Sequence, residues 1–131
     1  MTQEVQRVQR ATLSRAACIG LLGATDIARV VISVRCLPAA LPARISLPDD
    51  HRLLLASAEE SVIVAAQRGE VLSVQIDGLE PDGTTWSVMA SGIARPASET
   101  ASLPHPLVQA ISRGARLIEV PLSVVAGERV G

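Results

Sequence analysis

The stretch that most limits what this chain can become is Val71 to Pro96, VLSVQIDGLEPDGTTWSVMASGIARP. In its first half Leu72, Val74 and Ile76 alternate with Ser73, Gln75 and Asp77; in its second half Trp86, Val88 and Ala90 alternate with Ser87, Met89 and Ser91. A period of two belongs to strands with one buried and one exposed face. Between the halves, Glu80-Pro81-Asp82-Gly83 places proline where φ is set in advance and glycine at the last turn position, the pattern of a type I turn. Two long antiparallel strands are therefore the expected centre of the fold.

The flanking segments extend a β-rich reading. Met1 to Ala11 reads as a polar tail, with order beginning at Leu13. Ser14 is placed to cap a helix over Ala16 to Leu22 that Gly23 ends. Ile27 to Cys36 and Ala39 to Leu47 alternate as strands, and Pro42, lacking an N–H, marks an edge or a break in the second. After a turn at Pro48 to His51, Arg52 to Ala56 is a third strand with a buried Leu53-Leu54-Leu55 run. Ser57-Ala58-Glu59-Glu60 matches a capping box, opening a second helix that stops at Gly69. Pro96 to Pro106 reads as a connection, Val108 to Ser112 as at most two helical turns, Ala115 to Leu122 as a last strand, and Val124 to Val130 as a tail turning at Gly127. The expectation is one mainly β domain over residues 12–131, a split barrel of about six antiparallel strands with two short flanking helices.

Composition narrows the partners. Of 131 residues 48% are hydrophobic, yet Trp86 is the only aromatic, so the core must be filled by small aliphatic side chains and part of the apolar surface is expected to lie against a second copy. A net charge of −1 and the lack of stacking aromatics argue against a nucleic-acid binder. No segment approaches the ~20 apolar residues of a membrane span. Arg15 breaks the pattern a secretion signal would need before Cys18, and a reduced cytoplasmic protein is expected.

Side chains for conventional catalysis are scattered. Cys18, Cys36, His51 and His105 show no metal-ligand spacing, no nucleophile elbow or phosphate loop is present, and Asp49-Asp50 and Glu59-Glu60 read as a turn and a cap. The start of the second helix is a place for an anion, but Glu59 and Glu60 already answer its dipole and would repel a phosphate. No catalytic residue is assigned.

Several stretches together carry a family resemblance. They are Leu13-Ser14-Arg15 with Cys18 to Leu22, Pro38-x-x-x-Pro42, Ala65 to Gly69, Gly83-Thr84-Thr85-Trp86-Ser87-Val88 with Gly92-x-Ala94, and Leu117 to Val130 ending in Gly127-Glu128-Arg129-Val130. In order and spacing the chain resembles the pyridoxamine 5′-phosphate oxidase-like superfamily, the flavin-binding split β-barrel proteins abundant in actinobacteria. The resemblance implies a homodimer with a flavin in each of two clefts, FMN or a deazaflavin coenzyme carrying hydride to a small substrate. By position it implies cofactor contacts at Pro42, Ala43, Arg44, Ala56, Ser57, Ala58, Ser61 and Val62, with Trp86 either near the cleft or packed in core or interface. Many relatives hold the phosphate with a Gly-Thr-Lys run at the second helix; here Glu60-Ser61-Val62 keeps the hydroxyl and lacks the cation, and Arg44, in place of a frequent asparagine, is the candidate to supply charge from the neighbouring strand. The alternative is a member that has lost its flavin and acts as a ligand-binding or dimeric structural module.

Overall fold

The computed structural model describes residues 9–98 and 102–131. Among them the elements run β1 (Arg10–Thr12), α1 (Arg15–Gly23), β2 (Ile27–Val34), β3 (Leu37–Ser46), β4 (Arg52–Ser57), α2 (Glu60–Gln67), β5 (Val71–Leu79), β6 (Thr85–Ile93), β7 (Arg95–Pro96), α3 (His105–Ser112), β8 (Arg116–Pro121) and β9 (Val124–Val130). Every pairing is antiparallel, and the strands form one sheet in the order β1-β9-β6-β5-β2-β3-β4-β8-β7. The fold is mainly β, as the alternation predicts. The sheet curls into a half-barrel, and β6 runs so close to β8 that a side chain at Gly92 would strike the carbonyl oxygen of Pro121.

The central hairpin pairs without interruption from Val71↔Ile93 to Leu79↔Thr85. Its turn closes through the Gly83 N–H donating to the Glu80 carbonyl at 3.0 Å. Gly83 sits at φ +87°, a region costly for any side chain, which is why glycine ends the turn. Leu72, Val74, Ile76, Val88 and Ala90 form its buried face. Onto that face pack Cys18 and Leu22 of α1 and Val62, Ala65 and Ala66 of α2, together filling the barrel. The Ser14 hydroxyl caps α1 as expected, accepting from the Ala17 N–H at 3.1 Å.

Nine strands and three helices stand among the described residues where about six and two are expected from sequence. The third helix, α3, lies inside the proline-rich connection: Pro106 occupies its first turn, where a missing N–H leaves no hydrogen bond unmade, and His105 is its first residue and not a loop residue. Leu107 of α3 covers Leu54, Ala56 and Leu117 on the outer face of β4 and β8. This explains the unbroken Leu53-Leu54-Leu55 run. Leu53 and Leu55 face the barrel, and Leu54 is buried under α3.

The C-terminal segment read as a tail is also a strand, with β9 paired to β6 from Thr85↔Val130 to Ser91↔Val124. Gly127 makes no turn. A Cβ there would lie 2.7 Å from the Cys18 sulfur, so glycine is what allows α1 to rest on the strand. β1 then pairs with β9, so order begins before Leu13; of the tail expected over residues 1–11, residues 1–8 lie outside the described residues.

Two further boundaries move. The capping box at Ser57 does not form, because Ser57 is held in β4 opposite Arg116 and its hydroxyl accepts from the Glu59 N–H at 3.1 Å, two residues on. Glu59 is the N-cap of α2, without a side-chain cap bond. The strand expected through Cys36 ends at Val34, and Arg35 and Cys36, at φ +52° and +64°, make a tight two-residue turn into β3 without the glycine or asparagine such turns favour.

Candidate functional site

The site begins with Pro42. The Ile45 N–H donates to the Asp26 carbonyl at 3.0 Å, and counting along the β2–β3 ladder from that bond puts the backbone nitrogens of Ala43 and Leu41 toward β2 and that of Pro42 toward β4. Proline has nothing to donate there. β3 and β4 accordingly pair only from Ser46↔Leu54 to Arg44↔Ala56, and beyond that point β4 departs into α2. A cavity of about 320 Å³ occupies the gap. Pro42, Ala43 and Arg44 form one wall, Ala56, Ser57, Ala58 and Glu59 the other, with Ala110 and Ala115 from the α3 side and Ile27 from β2 completing it.

Six of the residues that the resemblance assigns to a cofactor thus meet at one cavity: Pro42, Ala43, Arg44, Ala56, Ser57 and Ala58. Three do not. Ser61 is half-buried in the first turn of α2, and Val62, at 0% exposure, points into the barrel core. Trp86 packs across the hairpin over Gly78, where any side chain would meet the indole, and lines a separate cavity of about 480 Å³ with Leu79, Thr85 and Val130.

Sequence reasoning missed four wall residues. Ala110 and Ala115 lie on and beside a helix hidden among prolines, and Glu59 was read as part of a cap. Ile27 carried a signal: it shares the outward face of β2 with Arg29 and Ser33 and stands 52% exposed beside them.

The walls are mostly alanine and proline, with Ile27 the one large apolar residue. Its charged side chains are Arg44 and Glu59, and neither has a side-chain partner among the described residues. All 12 basic residues of the chain are arginine, so no lysine exists to supply a phosphate contact. Next to this cavity, across Ile27 and Pro42, lies a smaller one of about 250 Å³. There Arg29 donates to Asp77 at 3.2 Å and to Gln75 at 3.4 Å.

Elsewhere charge serves structure. Glu119 of β8, 6% exposed, accepts from Arg95 of β7 and from Arg52 of β4, the latter at 3.0 Å. The Arg95 hydrogen bond, outweighing burial and aided by Arg52, holds its carboxyl below the usual carboxylate range. Both cysteines are free thiols, Cys18 buried and Cys36 exposed. None of the helices among the described residues is long and apolar enough to cross a membrane.

Solved structures share this architecture at low sequence identity. A FAD-binding protein from Mesorhizobium loti superposes with a TM-score of 0.74 at 18% identity, over 95% of this chain and 99% of that one. An FAD-binding protein from Mycobacterium smegmatis gives 0.68 at 21% identity, over 92% and 98%. An FAD- and heme-binding protein from the same organism gives 0.64 at 12% identity, over 90% and 71%. No curated protein matches the sequence. The pyridoxamine 5′-phosphate oxidase family model matches residues 14–117, well over half of the chain, across both walls of the cavity, and the chain belongs to that family.

Proposed function

We propose that this protein binds a flavin-type cofactor in the cavity between β3, β4 and α3 and works as a homodimeric oxidoreductase. The resemblance points to FMN or a deazaflavin coenzyme, and the FAD-binding relatives of like fold widen the set to dinucleotide flavins. The observation that carries the reading is the convergence of Pro42, Ala43, Arg44, Ala56, Ser57 and Ala58 on one slot. Its volume lies within the roughly 300–1,000 Å³ range of small-molecule sites, and its alanine walls suit a planar ring. A bound flavin or deazaflavin would supply the hydride chemistry itself. This chain's residues would bind and orient it: the small side chains flank the ring and Arg44 supplies the cation. Ser57 is occupied in holding the Glu59 N–H.

A second copy would cover the outer face of β2, β5, β6 and β9. That face exposes Ile27, Val71, Met89, Ile93 and Val124, each at 41% or more. Ile27 belongs both to this face and to the cavity, so the interface would run to the edge of the site. Light scattering should give about twice the 13.7 kDa of one chain, and a monomer at micromolar concentration overturns the dimer.

The reading as a flavin-free binding module draws on Glu59 and Glu60, carboxylates at the helix start where the resemblance places a phosphate, and on Val62 in place of a lysine. Purification from a flavin-rich host, the visible absorption spectrum, and titration with FMN, FAD and deazaflavin coenzyme decide between the two. Absence of bound flavin together with no saturable binding of any of them refutes the oxidoreductase.

A further inference from the structure

We propose that Glu59 is a specificity-determining residue that disfavours flavins ending in a phosphate monoester, so that the cavity prefers the same ring system without that phosphate. The inference rests on the flavin reading above.

Glu59 and Arg44 are the charged side chains of the cavity wall, opposite in sign and each without a side-chain partner among the described residues. Glu59 is not turned back to cap its own helix: it is the N-cap of α2 and makes no side-chain cap bond. Its backbone is already engaged, since its N–H donates to Ser57 and its carbonyl accepts from Val62 and Ile63 at 3.1 Å each. The carboxylate is thus left to act on whatever enters. Glu60 adds a second negative charge in the first turn, and together they offset the partial positive charge of the helix end. The position where a lysine would stand is Val62, enclosed in the core.

A phosphate monoester carries about −1.5 to −2 charge at neutral pH. In this cavity it would meet one guanidinium and one carboxylate, both exposed, which leaves most of its charge uncompensated. Riboflavin carries no phosphate and no such charge. The same ring contacts are available to riboflavin and FMN, so the terminal group decides between them.

The test is equilibrium titration of riboflavin, FMN and FAD, followed by flavin fluorescence, against the wild-type protein and Glu59→Gln. The wild type should bind riboflavin at least as tightly as FMN. Glu59→Gln should tighten FMN by about tenfold while moving riboflavin by less than about twofold, the effect expected of one partly screened charge. Raising the salt concentration should narrow the wild-type difference between riboflavin and FMN. Tighter binding of FMN than riboflavin by the wild type, or an equal shift of both ligands in Glu59→Gln, overturns this inference and leaves the flavin reading standing. Saturable binding of none of the three overturns the flavin reading and this inference with it.

Discussion

Gly127→Ala tests whether the C-terminal strand is built as described, because its effect would have the opposite sign if Gly127 were an ordinary strand or tail residue. Its φ lies outside the left-handed region, so alanine is conformationally allowed, and restriction of the unfolded chain alone would stabilise by about 0.4–1 kcal/mol. Sterics oppose this. The new Cβ would stand 2.7 Å from the Cys18 sulfur, 3.0 Å from the Ser87 carbonyl oxygen and 3.1 Å from Val88 Cγ2. Cys18 is fully buried on a helix, so its sulfur or α1 itself must shift away from β9. Overpacking of this kind costs about 1–3 kcal/mol, leaving a net loss of about 1–2 kcal/mol. Cys18→Ala alone should cost about 1 kcal/mol for the lost sulfur. In the double variant the void takes up the added methyl, while the contacts at Ser87 and Val88 remain. The double variant should therefore be no less stable than Gly127→Ala, a coupling of about 1 kcal/mol. Urea unfolding followed by Trp86 fluorescence at one fixed protein concentration measures all four corners. Strict additivity, or a Gly127→Ala protein as stable as the parent, refutes the packing of α1 on β9.

Val62→Lys should destabilise by about 3 kcal/mol or more in urea unfolding and bring no FMN binding, since it buries an unpaired ammonium in the barrel; a stable variant that gains FMN would show that position 62 faces the cavity. Glu119 has a folded pKa below its unfolded value, so its stabilisation is present above the unfolded value near ~4.3 and is lost as pH falls through the folded one. Glu119→Gln should accordingly lower stability by about 2 kcal/mol at neutral pH and flatten the acid limb of a stability–pH curve, and an unchanged limb counts against the Arg95–Glu119–Arg52 cluster. Replacing Arg35-Cys36 by Asn-Gly should raise the urea midpoint by the equivalent of about 1 kcal/mol or more, because both positions lie at positive φ; a lowered midpoint would mean the turn is not of this kind. A thiol reagent should label Cys36 at once and Cys18 only on unfolding, as burial pushes the Cys18 thiol up; rapid labelling of two thiols per chain would contradict the packing of α1.

What the sequence determined by itself was whatever rests on neighbours a few residues apart. The period of two set the faces of β2, β3, β5 and β6, Gly83 and Pro81 set the hairpin turn, Ser14 set the start of α1, and Pro42 marked where β3 loses a partner. The six wall residues from Pro42 to Ala58 were legible only through family resemblance, since five of them are alanine, proline or serine, which carry no chemical signature of their own, and a lone arginine on a strand, Arg44, does not mark a site. Tertiary structure decided the rest. Arg35 and Cys36 hid a turn because the tight β2–β3 pairing holds them at a positive φ that neither residue favours. Prolines hid α3 because what stabilises it is burial of Leu107 on Leu54 and Leu117, residues of two distant strands. Gly127 looked like a turn residue, and its meaning comes from a sulfur 109 positions away in sequence (127 − 18) and close in space. Val62 and Glu59 follow the same rule: where β4 ends, with Ser57 still paired to Arg116, and α2 begins, Val62 falls in the core and Glu59 at the cavity.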